Sequence, residues 1–156
     1  MTSIDAALVL TGLSNPASDC RTSQKSLRIH RALALNIGGI FVAERRAVLY
    51  RLEGNPADID RFLDAMAPET DESLLMLIDR WTVPRRVTMR RRLREALPIG
   101  DEREWMRRQL TAPQIDAGMI RLFTLWLDVR VTERDMGLGL DFTSAALNHF
   151  PGSPFH

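Results

Sequence analysis

The chain has 156 residues, enough for one domain or for one domain with a helical extension, and 45% hydrophobic content provides for a real core. A net charge of +1 leaves no global field that would draw the protein to nucleic acid or to a membrane surface. A single cysteine, Cys20, excludes an internal disulfide, and no apolar run approaches the roughly 20 residues of a membrane span. With no signal-peptide pattern at the N-terminus, these features predict a soluble, cytoplasmic, bacterial protein.

The first half of the chain carries strand and helix patterns in the order β-α-β-β-α-β. Strand patterns cover residues 4–13, 37–43, 47–52 and 73–78, and helix patterns cover residues 18–35 and 56–67. In the first helix an apolar stripe is expected at Ile29, Ala32 and Leu33. The order predicts an α+β protein with a ferredoxin-like βαββαβ core, in which two helices cover one face of an antiparallel sheet.

The second helix has the clearest start of any element. Asn55 is expected to cap its free N–H groups, and Pro56 suits its first position because the proline ring already has a helical φ. The spacing i, i+3, i+4, i+7 then places four apolar side chains on one buried face: Ile59, Phe62, Leu63 and Met66.

The last third of the chain reads as helical. Helices are predicted over residues 101–110, 114–129 and 141–150. The second of these has a stripe of apolar residues (Ile115, Met119, Leu122, Phe123 and Trp126) and further apolar residues on its other sides, which predicts burial on more than one side. We therefore predict a ferredoxin-like domain over residues 1–98 and a helical extension over residues 99–156 that packs on the other face of the sheet.

Two short motifs resemble a known family of sensory domains, the sensors of blue light using FAD (BLUF). Ile37-Gly38-Gly39-Ile40 is similar to the Ile-Thr-Gly-Leu strand of that family, and Leu52-Glu53-Gly54-Asn55-Pro56 is similar to its Glu-Gly-Pro strand exit. Pro84-Arg85-Arg86-Val87 resembles the Arg-Arg-Phe after its fourth strand. The resemblance covers residues 8–91 and implies a flavin between the two helices.

The three side chains that read the flavin in that family are all replaced. By resemblance the family's Tyr, Asn and Gln fall on Gly12, Ala32 and Tyr50, and Tyr50 is the only tyrosine in the chain. Gly12 and Ala32 offer no hydrogen bond, and one phenol cannot replace the donor and acceptor of a Gln amide. A buried flavin edge would lose about 1–3 kcal/mol for each unsatisfied group. The chain therefore resembles a degenerate member from which no cofactor is expected, although the resemblance itself implies FAD.

Strand alternation predicts where Tyr50 points. Val48, Tyr50 and Leu52 share one face of the third strand, and the family's Gln faces the helices. We expect Tyr50 to fill or shrink the flavin pocket, packed near Phe62 and the first helix. Stacking of Tyr50 on a bound ligand is the alternative.

An arginine cluster follows the fourth strand. On a helix predicted over residues 88–97, Arg90 and Arg94 share one face and Arg91 lies beside them, which could bind phosphate or an acidic partner. A solvated face balanced by nearby acids is the interpretation we favour, because no helix-turn-helix pattern and no interleaved aromatic residues accompany the cluster. No metal-ligand spacing, nucleophile motif or phosphate-binding loop is present, so neither a metal site nor catalysis is predicted.

Three functions remain open from the sequence. The first is a flavin-free BLUF-like sensory or regulatory domain that acts through an unidentified protein partner, with Trp126 and the arginine cluster as possible contacts. A homodimer through the C-terminal helices or the sheet face would fit this function. The second is a blue-light receptor that binds FAD through atypical contacts. The third is a ferredoxin-like domain that binds nucleic acid or a small effector.

Overall fold

A computed structural model describes residues 3–12, 20–44, 47–66, 75–84 and 92–135. Its strands are β1 (Ile4–Gly12), β2 (Gly38–Glu44), β3 (Ala47–Gly54), β4 (Leu75–Val83) and β5 (Leu93–Glu95). Its helices are α1 (Cys20–Ala34), α2 (Pro56–Met66), α3 (Glu102–Thr111) and α4 (Ala117–Asp135). The chain divides into two compact units between Ala96 and Leu97. The helix predicted over residues 141–150 lies outside the described residues.

The strands of the first unit form one sheet in the order β4-β1-β3-β2-β5. β1 pairs antiparallel with both β3 and β4, and β2 pairs antiparallel with β3. This is the strand order of a ferredoxin-like core, so the predicted α+β fold class is confirmed. The side of the sheet on which the C-terminal helices pack stays a prediction.

The fifth strand corrects the sequence analysis. Residues 93–95 form β5, which runs parallel to β2, so the helix predicted over residues 88–97 is wrong there and the sheet is mixed. Leu93 is fully buried, whereas Glu95 is exposed and Arg94 is intermediate. Leu93 lies between two arginines, and one apolar residue in such a segment does not predict a strand. The partner that makes it a strand is more than 50 residues earlier in the chain.

Backbone conformation explains why the turn into β2 has its sequence. Asn36 has a φ of 59° and ends α1, where the N–H of Ile37 donates to the carbonyl of Ala32 at 2.8 Å. Gly39 has a φ of 134°, and a Cβ built on it would lie 1.9 Å from the carbonyl oxygen of Arg51. Only glycine allows β2 and β3 to approach so closely, which gives the Gly-Gly motif a structural reason.

The two helices of the first unit cover one face of the sheet. Among the described residues, the buried cluster on that face contains twelve from β1, α1, the turn before β2, β2, β3, α2 and β5: Ala7, Val9, Ala32, Ile37, Phe41, Val48, Tyr50, Leu52, Ile59, Phe62, Met66 and Leu93. The predicted cap of α2 is confirmed, since the N–H of Ala57 donates to Asn55 Oδ1 at 3.0 Å. The predicted stripe on α1 is only partly right, because Leu33 is 50% exposed.

Arg80 joins three elements at one end of the sheet. From β4 its Nε donates to Asp5 on β1 at 2.9 Å, and one terminal nitrogen donates to Asp60 on α2 at 2.6 Å. The other terminal nitrogen donates to the carbonyl of Pro56 at 3.1 Å. The interaction with Asp60, followed by that with Asp5, outweighs the lowering effect of burial and raises the pKa of Arg80 above its ordinary value. The guanidinium of Arg80 therefore stays positively charged at every pH at which proteins are ordinarily studied.

In the second unit, α3 and α4 share an apolar core. Trp105 of α3 packs on Phe123 of α4 with ring centroids 4.6 Å apart. A buried ion pair adds to it: Arg130 donates to Glu102 at 2.9 Å and also to the carbonyl of Leu97 at 2.9 Å. The second carboxylate oxygen of Glu102 accepts the N–H of Ile99 at 2.8 Å. The segment before α3 is therefore fixed to α4 by charged hydrogen bonds.

The buried face of α4 differs from the predicted stripe. Six residues of α4 are buried: Ile120, Phe123, Thr124, Leu127, Asp128 and Arg130. Phe123 is the only member of the predicted stripe among them, and Leu122 is 42% exposed. The stripe was wrong because α4 is apolar on several sides, and periodicity alone cannot choose among them. None of the helices described in the structure is long and apolar enough to span a membrane.

Candidate functional site

Tyr50 lies at the centre of the helical face of the sheet. It projects from β3, and the registers place it beside Val9 of β1 and Phe41 of β2. Its ring lies 5.8 Å from that of Phe41 and, in an edge-on arrangement, 6.5 Å from that of Phe62 on α2. The predicted packing of Tyr50 near Phe62 and the first helix is confirmed, because its side chain is fully buried in this cluster.

Arg28 of α1 completes the cluster, and sequence analysis missed it. One terminal nitrogen donates a hydrogen bond to the hydroxyl of Tyr50, and the guanidinium carbon lies 5.5 Å from the centre of the Tyr50 ring. Arg28 is only 3% exposed, and its Nε has no hydrogen-bond partner among the described residues. A signal did exist, since Arg28 precedes Ala32 by four residues and must share its helix face. We therefore define the Arg28–Tyr50 cluster as Arg28, Phe41, Tyr50 and Phe62.

The three positions implied by the resemblance do not form one polar site. Ala32 and Tyr50 belong to the same buried cluster. Gly12 pairs with Ala47 at the far end of β1, three residues beyond Val9, which pairs with Tyr50. At about 3.4 Å per residue, Gly12 is roughly 10 Å farther along the strand. Of the three positions, Tyr50 alone presents a polar side-chain atom.

The other predicted contact residues are scattered. Arg94 lies on β5, so it does not share a helix face with Arg90 as predicted, while Arg90 and Arg91 are outside the described residues. Trp126 lies partly buried on α4, in the second unit. Among the described residues, no three His, Cys, Asp or Glu side chains are grouped so that they could hold a metal ion.

Neither protein-family models nor curated proteins match this sequence. Solved structures do match. BlsA in its photo-activated state shares 12% identity at a TM-score of 0.59, over 80% of this chain and 94% of the other. BlrB, a BLUF protein in its dark state, shares 17% identity at a TM-score of 0.56, over 81% of this chain and 97% of the other. The BLUF domain of BlrP1 shares 15% identity at a TM-score of 0.53, over 81% of this chain and 91% of the other.

A longer structure contains the same fold as one part. Klebsiella pneumoniae BlrP1 in complex with calcium and cyclic diGMP shares 16% identity at a TM-score of 0.51, over 80% of this chain. This chain spans only 34% of that protein. At such identities the likeness establishes the fold, and the fold predicted from the two motifs is confirmed.

Proposed function

We propose, on the premise that this chain has the fold of a BLUF domain, that it is a sensory or regulatory domain that works without a flavin and acts through protein contacts. The observation that carries the proposal is the Arg28–Tyr50 cluster, which lies on the sheet face where the family holds its flavin. In this interpretation side chains of the protein itself occupy the space and the hydrogen bonds that a chromophore would use.

The residues at the family positions do not fit a flavin. Gly12 and Ala32 offer no side-chain donor or acceptor, and the Tyr50 hydroxyl already accepts a bond from Arg28. The rings of Phe41 and Phe62 flank Tyr50, so a planar ligand would have to displace close-packed side chains. A flavin bound here would leave polar ring atoms unpaired, at about 1–3 kcal/mol each.

Protein contact is supported by an apolar stripe on α4 outside the α3–α4 core. Leu122 is 42% exposed, Val129 is 36% exposed, and Trp126 between them is partly buried. The spacing i, i+4, i+7 places the three on one helix face, which we call the α4 outer stripe. A second copy of this chain is the occupant we propose, since an apolar stripe on each copy would be buried by self-association.

One observation favours the alternative of a blue-light receptor with atypical contacts. The Nε of Arg28 is buried without a partner among the described residues, and such a donor could bond a flavin carbonyl or phosphate oxygen. The nucleic-acid alternative has no comparable support, because two of its three arginines lie outside the described residues.

Reconstitution with FAD separates the first two functions. The protein is purified, unfolded and refolded with excess FAD, desalted, and its absorption near 450 nm is measured. We expect no retained flavin. A matched variant, Arg28→Ala/Tyr50→Gln, removes the cluster and supplies an amide. Retention of flavin by this variant but not by the natural sequence would show that the cluster is what excludes it. Yellow natural protein with a red shift on illumination would overturn the proposal and support the receptor.

A further inference from the structure

A groove runs between α1 and β5 in the first unit. Its volume is about 440 Å³, within the range of small-molecule sites. Seven of the described residues line it: Ile29, His30, Leu33, Arg92, Leu93, Arg94 and Glu95. We call it the α1–β5 groove.

The interior of the α1–β5 groove is apolar. Leu93 is fully buried at its base, and Ile29 packs against the core beside it. Leu33, one helical turn after Ile29, is 50% exposed. An apolar molecule that enters the groove would cover the exposed part of the Leu33 side chain. Removal of this apolar area from water would contribute favourable binding free energy.

The rim carries positive charge. Arg92 is exposed, and its guanidinium makes no hydrogen bond or ion pair with any residue in the described part of the chain. His30 is exposed opposite it on α1, and Arg94 brings a second guanidinium. Among the described residues that line the groove, Glu95 is the one carboxylate. The rim therefore favours an anion, and a guanidinium whose donors are unused among the described residues suits a carboxylate, sulfate or phosphate.

The walls are held in place by secondary structure. The N–H of Gly39 donates to the carbonyl of Arg92 at 3.3 Å, and the N–H of Ala96 donates to the carbonyl of Phe41 at 2.8 Å. Both ends of β5 are thus bonded to β2, and the other wall is a continuous helix. Sites on such elements are preformed, so little ordering free energy is lost on binding.

The length of the groove favours a small molecule over a protein helix as its ligand. Ile29 to Leu33 is about one turn, or roughly 6 Å along the helix axis, and β5 has only three residues. An amphipathic helix docks through side chains spaced over two turns or more. A protein helix therefore lacks the contact length that it needs here, whereas a single carbon chain with one charged end can lie in the groove and extend beyond its mouth.

From these observations we infer that the α1–β5 groove binds a small amphipathic anion, with its apolar body between Ile29, Leu33 and Leu93 and its charged end at Arg92. The ligand class is a medium-length acyl or aryl acid. None of the described residues that line this groove is one of the four residues of the Arg28–Tyr50 cluster, and the inference does not require a flavin to be present or absent.

The test compares two probes of equal chain length and opposite charge on the full chain. Decanoate and decyltrimethylammonium are titrated below their micellar concentrations, and backbone amide shifts are followed by NMR. We expect saturable shifts with decanoate at Ile29, Leu33 and Leu93, and much weaker shifts at these positions with the cation. Equal response to both probes, or no saturable response to decanoate at the groove, would overturn the inference.

Matched variants test the named contacts. Leu33→Asp should abolish decanoate binding, whereas Leu27→Asp should not, since Leu27 is exposed on the same helix but does not line the groove. Arg92→Gln should weaken binding by about tenfold, the effect of losing one charge-assisted contact. Arg103→Gln on α3 should leave it unchanged. If Leu33→Asp unfolds the protein, the exposed Arg92 variant decides alone, and unchanged affinity there would contradict the proposed anion position.

Discussion

At the scale of single residues, the strongest local constraint is Gly39. Its φ is positive, and a Cβ at this position would lie only 1.9 Å from the Arg51 carbonyl oxygen, which leaves no room for any side chain. The sequence revealed a Gly-Gly strand but not which glycine was required or why. The reason lies in β3, since the atom that excludes a side chain belongs to a residue twelve positions later.

Replacement of Gly39 by alanine should therefore prevent β2 and β3 from pairing normally. We expect Gly39→Ala to lower the free energy of unfolding by more than about 4 kcal/mol, because the clash is with backbone and cannot be relieved by a rotamer change. Gly118→Ala near the start of α4 is the control, and it should be neutral or stabilising by up to about 1 kcal/mol. Urea midpoints measure both, and a Gly39→Ala protein as stable as the natural one would refute this account.

The direction of the Tyr50 side chain could be predicted from the sequence, whereas the burial of Arg28 could not. Alternation along β3 was enough to place Tyr50 toward the helices, because the side-chain period of a strand is fixed by its geometry. Arg28 was missed since a charged residue is not expected in a core. Its burial depends on a phenol that lies 22 residues later in the chain.

At the scale of elements, most helices and strands were predictable because their signals are local. The Asn55 cap and the i, i+3, i+4, i+7 apolar face of α2 belong to one continuous segment. The cap was confirmed, and so was the face: Ile59, Phe62 and Met66 are buried, and Leu63 is partly buried against the core. β5 and the buried face of α4 were not predictable in this way. A three-residue strand exists only through pairing with β2, and a helix that is apolar on several sides needs a neighbour to define which side is inside.

The contact between the start of α3 and α4 gives an element-scale prediction. Arg130→Met leaves Glu102 buried without its cation, and we expect a loss of about 3–5 kcal/mol in the second unit. Unfolding followed by tryptophan fluorescence measures this loss, since two of the three tryptophans, Trp105 and Trp126, lie in the second unit. Arg134→Met, at an exposed position on the same helix, should have almost no effect.

A double variant tests the cause of that loss. Glu102→Leu/Arg130→Met removes both charges, and it should recover much of the stability lost in Arg130→Met because no uncompensated charge stays buried. If the double variant is less stable than Arg130→Met, lost packing and not an unpaired carboxylate is responsible.

At the scale of the whole molecule, the chain consists of two compact units, and the α4 outer stripe belongs to the second. We predict that the protein is a dimer in sedimentation equilibrium at tens of micromolar. Leu122→Glu/Val129→Glu should convert it to a monomer, since it places two carboxylates in an apolar contact. Met76→Glu is the matched control, because Met76 on β4 is 42% exposed, as is Leu122. A monomeric natural protein, or dissociation by Met76→Glu alone, would contradict an α4 interface.

The sequence by itself determined the β-α-β-β-α-β order of elements along the first half of the chain and pointed to the fold, because strand alternation, helix caps and the strand motifs are properties of short continuous segments. Through the resemblance it also predicted that Gly12, Ala32 and Tyr50 take the places of the flavin-binding side chains. Only the tertiary structure decided that Arg28 donates to the Tyr50 hydroxyl, which side of α4 is buried, and that β5 exists. In each of these cases the deciding contact joins residues far apart along the chain, and no local pattern records a partner at that distance.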